Sequence, residues 1–140
     1  MTTHPIELAR PRTIGATALR VLGAGTLVVV GAVHLEQYIA VHFAVVPVIG
    51  PMFLLNFVGS LAVAVGLLLP LHRLHPILAL GGIGIAVTSI VFLLISHSRP
   101  LFGFEDYGYR PAIVIALAAE AATALVLGSY LRRSYLARRR

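Results

Sequence analysis

The chain has 140 residues, 59% of them hydrophobic and 11% charged, with no cysteine and a formal net charge of +6 that comes wholly from arginine. Its mean hydropathy of +0.94 lies far above that of a water-soluble domain and marks a membrane protein. This length holds at most about four or five spans of about twenty residues, with no room for a separate soluble catalytic domain. The lack of cysteine excludes disulfides, thiolate metal sites, iron–sulfur clusters and cysteine nucleophiles.

Taken in chain order, residues 1–17 form an N-terminal tail, disordered over its first eleven residues. Apolar runs bounded by arginine, proline and polar turns then predict helices at Ala18–Ala40, Met52–Leu71, Pro76–His97 and Pro111–Leu131. Arginines precede the stretch Val21–Val33 as in a signal peptide. No small-x-small cleavage site follows, so this segment reads as a retained anchor. Pro76 and Pro111 suit the first helical turn, where a missing N–H costs little. Residues 132–140 form a basic tail.

The arginines set the orientation. Arg10, Arg12 and Arg20 precede the first helix, Arg73 lies in the second connection, and Arg132, Arg133, Arg138, Arg139 and Arg140 follow the fourth. Only Arg99 and Arg110 fall on the other side. By the positive-inside rule the expected fold is an all-α, four-transmembrane-helix bundle with both termini cytoplasmic. The terminal arginines then touch anionic lipid headgroups, and nucleic acid is not an expected partner.

Glu120 is a carboxylate in an otherwise uncharged run long enough to cross a bilayer, so the bundle must supply it a partner. At about 1.5 Å of rise per residue from each cytoplasmic helix end, His34 stands about 21 Å up, Glu120 about 18 Å, Asn56 about 22 Å, and Thr88 and Ser89 about 18 to 20 Å. All four helices therefore offer a polar group at one level. Each also shares its stripe with small residues: Glu120 with Ala116 and Ala124, Asn56 with Gly59 and Ser60, Thr88 with Gly81 and Gly84, His34 with Gly31 and Tyr38. The expected polar layer is His34, Tyr38, Asn56, Thr88, Ser89 and Glu120, centred on a His34–Glu120 contact. Two roles stay open for it: structural glue that fixes helix register, or a pair that carries a proton or binds a ligand.

The first outer loop, Val41–Pro51, is apolar and is expected to lie in the interface or fold back over the bundle. The second, Ser98–Arg110, sets aromatics among charges, which fits an aromatic belt or a docking lip. The outer-face candidates for binding are Glu36, His42, His97, Phe102, Phe104, Glu105, Asp106 and Tyr107. The spacing of the histidines and acids preforms no metal site, and no cofactor is assigned. Gly81-Gly82-Ile83-Gly84 lies inside an apolar helix and fits close packing better than phosphate binding.

Arg20-Val-Leu-Gly23 followed by Gly31-Ala-Val-His34-Leu resembles the first-helix pattern of DoxX-like membrane proteins. His34-Leu-Glu-Gln-Tyr38, then Pro47 to Asn56, with Leu101-Phe-Gly-Phe-Glu105 before the last helix, looks like a group of small four-helix membrane proteins of actinobacteria. This resemblance spans roughly Arg20 to Leu131 and implies architecture and bilayer location, with no activity attached. DoxX-like proteins are associated with redox and thiol homeostasis, and without cysteine this chain could join such chemistry only through a partner. The expectation is a multi-pass plasma-membrane protein acting as a non-catalytic accessory or interaction subunit, with a membrane-protein partner or as a homo-oligomer. One alternative is a unit that binds or transports a small ligand, a quinone headgroup or a proton through His34 and Glu120. A second is a haem- or metal-carrying oxidoreductase subunit.

Overall fold

The computed structural model describes residues 11–103, 105, 108 and 110–138. Expectations for residues 1–10, Phe104, Asp106, Tyr107, Arg139, Arg140 and the side chain of Arg138 fall outside the described residues. Four long helices carry the fold: α1 (Pro11–Ile39), α2 (Ile49–Leu68), α3 (His75–Ser98) and α4 (Pro111–Arg138). All four are long and apolar enough to cross a membrane. Side chains such as Leu55, Ile77 and Leu125 stand more than half exposed, an unstable surface in water and an ordinary one against acyl chains. The chain is a multi-pass membrane protein of all-helical class.

Two helices run well past the apolar runs that predict them. α1 begins at Pro11, which suits a first helical turn, and α4 continues through Arg132 and Arg133. Arginine is a good helix former whose long stem can keep its charge at a headgroup, so a change in polarity does not end the helix. α2 starts at Ile49 and accommodates Pro51 in its first turn.

The helices form a ring in chain order. α1 packs most extensively on α2 and α4, α3 packs on α4, and α2 meets α3 least of the neighbouring pairs. The connections 40–48 and 99–110 lie together at one end, here the loop end; the 69–74 turn lies at the opposite, terminal end with the start of α1 and the end of α4. Near the terminal end Ala24, Leu27, Ala64, Leu67, Ala79, Leu127 and Tyr130 make a closed core. It depends on glycine: a Cβ on Gly23 would lie 2.2 Å from Leu127 Cδ2, and one on Gly82 would lie 2.7 Å from Leu127 Cδ1. Arg20, half-buried within α1, donates to the carbonyl of Leu67, and His75 Nε2 lies 2.9 Å from the carbonyl of Leu69. These contacts satisfy the carbonyl of Leu67 in the last turn of α2 and that of Leu69, which caps the helix.

At the loop end the chain folds back over the bundle. A short 3-10 turn, Phe43–Val45, packs onto α2, where a Cβ on Gly50 would meet the Phe43 carbonyl oxygen at 2.6 Å. Val48 holds φ 65 just before the helix, in a region that β-branched residues rarely occupy. The Phe43 and Phe53 rings stack with centroids 5.1 Å apart.

Candidate functional site

Above the closed core the four helices diverge around a cavity of about 530 Å³, a volume typical of small-molecule sites. α1 lines it with Val33, His34 and Gln37, and α4 with Ala112, Ile113, Ala116 and Glu120. α2 contributes Phe53, Asn56 and Gly59, and α3 contributes Gly84, Thr88, Ser89 and Phe92. Phe43, Leu101 and Arg110 border it at the loop end, with the Arg110 guanidinium 5.7 Å from the Phe43 ring centroid. The wall is mostly apolar, and four of its polar groups, His34, Asn56, Ser89 and Glu120, gather on one side.

That pole is a hydrogen-bonded cluster. His34 Nδ1 lies 2.8 Å from the carbonyl oxygen of Val30, an acceptor only, so Nδ1 carries a hydrogen. The opposite nitrogen, Nε2, faces Ser89 Oγ at 3.0 Å and Glu120 Oε1 at 3.8 Å. The Ser89 hydroxyl also lies within hydrogen-bonding reach of the Glu120 carboxyl. Asn56 donates its amide to Ser89 Oγ at 3.4 Å, and Ser60 donates to Asn56 Oδ1 at 3.1 Å. Glu120 is 2% exposed and His34 7%, so each relies on the other and on Ser89 for polar contact. The Phe53 ring, with its centroid 5.2 Å from that of His34, covers the imidazole.

Of the expected polar layer, His34, Asn56, Ser89 and Glu120 thus meet. Thr88 sits on the cavity wall with its residue exposed on the α2–α3 side, and Tyr38 is half-buried off the wall. Glu36 accepts from the Gln37 amide, His42 is exposed at φ 62, Phe102 is exposed at φ 52, Glu105 is half-buried, and His97 Nε2 lies 3.1 Å from the carbonyl of Gly108. Among the described residues no three histidine, aspartate or glutamate side chains come together to hold a metal ion. Arg132 and Arg133 are exposed at the terminal end.

Three participants escape a reading of the sequence for charges and small stripes. Gln37, 5% exposed, borders the cavity, and its Oε1 has no hydrogen-bond partner among the described residues. Its spacing of three from His34 places both on one helix face, a signal that was available. Thr26 and Thr123 join α1 to α4 through a 2.8 Å hydroxyl hydrogen bond. Thr123 lies three residues after Glu120, so the same periodicity points to it.

Fold and site together define a multi-pass helical membrane protein with a polar-ended cavity between its spans. No family model, curated protein or solved structure matches the chain.

Proposed function

We propose that this protein is a plasma-membrane binding unit that takes a small amphiphile from the bilayer into the cavity between its four helices. The observation that carries this reading is the cavity itself: about 530 Å³, largely apolar, with His34, Ser89, Asn56 and Glu120 gathered on one wall. A purely structural polar network needs no adjoining space. Access is lateral, from acyl chains, because α2 and α3 pack least and Gly84 and Thr88 on the wall between them are exposed. The arginine distribution orients the termini and the 69–74 turn to the cytoplasm and opens the cavity toward the outer leaflet. Arg132 and Arg133 meet anionic headgroups in this orientation. Membership of the DoxX-like group belongs to the proposal and supports its membrane location only.

The accessory-subunit alternative leans on small-residue stripes, several of which are consumed within this chain: Gly23 and Gly82 against Leu127, Gly31 against Phe57 and Ser60, Gly66 against Leu78. Binding is tested with protein in nanodiscs and an environment-sensitive alkyl-chain fluorophore. Gly84 borders the cavity, and a Cβ there would meet nothing within 4 Å, so Gly84→Leu fills the space without a clash in the helix. Saturable binding should be lost in Gly84→Leu and altered in Glu120→Gln, with helicity and melting retained. Unchanged saturable binding in both variants, or none in the native protein, rejects the reading and leaves the polar cluster a structural one.

A further inference from the structure

We infer that the molecule this cavity takes carries a hydroxyl head, a phenol or an alcohol that donates a hydrogen bond, in preference to a carboxylate or carbonyl head. The inference rests on the cavity being a binding site and follows from an account of donors and acceptors at its polar wall.

The donors of the His34–Ser89–Asn56 cluster are already committed, and other donors on the lining, Thr88 and Arg110 among them, lie outside that cluster. His34 Nδ1–H points at the Val30 carbonyl, Ser60 donates to Asn56 Oδ1, and Asn56 Nδ2 donates to Ser89 Oγ. Ser89 has a single proton, directed to His34 Nε2 when the imidazole is neutral and to Glu120 when His34 holds a second proton. The Gln37 amide nitrogen donates to Glu36. A carboxylate accepts only, so the amide cannot be turned round, and the oxygen is fixed on the other side. What remains is acceptor capacity. Gln37 Oε1 is buried without a partner among the described residues, on a residue that borders the cavity, and the Glu120 carboxyl oxygens have lone pairs to spare.

A buried acceptor left unpaired is costly, and a ligand that supplies the missing hydrogen removes that cost. A carboxylate or carbonyl head brings acceptors to a cluster whose donors are already committed. A hydroxyl supplies what is missing without a charge. The Phe43–Phe53 stack and Phe92 offer flat faces to the body of such a molecule.

The test compares para-nonylphenol with its methyl ether, a pair matched in chain and ring that differs in one donor, by competition against the alkyl fluorophore in nanodiscs. Native protein should bind the phenol roughly tenfold or more tightly than the ether, the range set by leaving a buried acceptor unpaired. In Gln37→Leu the two affinities should converge, mainly because the phenol loses its advantage. If native protein binds both compounds equally, the hydroxyl assignment is overturned and the cavity remains a binding site. Discrimination that persists in folded Gln37→Leu overturns the role of Gln37 Oε1. If neither compound displaces the probe and the probe itself does not saturate, both the head assignment and the binding reading fall. The native comparison decides the head group even if the variant does not fold.

Discussion

The two halves of this bundle are built from similar residues and packed to opposite ends. In the terminal half, glycine lets helices approach until leucine fills the gap: Leu27, Leu67 and Leu127 are fully buried, and Gly23 and Gly82 lie against Leu127. In the loop half, Gly84 on the same α3 helix faces empty space and the wall of a cavity. Lipid is as apolar as leucine, so burial from water does not drive helix association inside a bilayer, and close packing must supply it. The contrast teaches that the tight half holds the helices together, which leaves the other half free to diverge around polar groups.

That division can be broken most forcefully at its centre. Leu127→Ala should empty the shared contact of α1, α3 and α4 and cost about 2–5 kcal/mol by the scale of large-to-small core substitutions. Thermal unfolding followed by circular dichroism in detergent should register it as the largest loss, and a small loss would show that the terminal half does not carry the stability. A paired substitution sharpens the comparison. Gly82→Ala drives a methyl against Leu127 and Leu27 and should destabilise by about 1–3 kcal/mol. Gly84→Ala, two residues along the same helix, should cost nothing and can gain up to about 1 kcal/mol from helix propensity. Equal effects from the two would contradict the division into halves.

Smaller effects are expected elsewhere. Gly50→Ala should loosen the folded-back loop, since the Phe43 carbonyl that a methyl would strike is backbone and cannot rotate aside. Hydrogen exchange across residues 43–50 should quicken while the helices keep their protection. Thr123→Val removes the hydroxyl bond to Thr26 and should cost about 0.6 kcal/mol, the average for hydrogen bonds between membrane helices. A loss several times larger would make that pair a principal clasp between α1 and α4.

Much of this arrangement is written along the chain. Four apolar runs long enough to span a bilayer, broken by Pro47, Pro70 and Pro100 and the turns around them, determine an all-helical membrane protein, because backbone polar groups in hydrocarbon must be satisfied within each segment. Simple rise per residue also places His34, Asn56, Ser89 and Glu120 at a common depth, since spans of similar length start from similar levels. Periodicity does not say which neighbour a side chain meets. The choice of Ser89 as the bridge between His34 and Glu120, the placing of Gln37 Oε1, and the looser packing of α2 on α3 are decided by helix rotation and crossing. Those quantities depend on contacts between residues far apart in the chain, such as Gly82 with Leu27 and Leu127, and no local pattern encodes them.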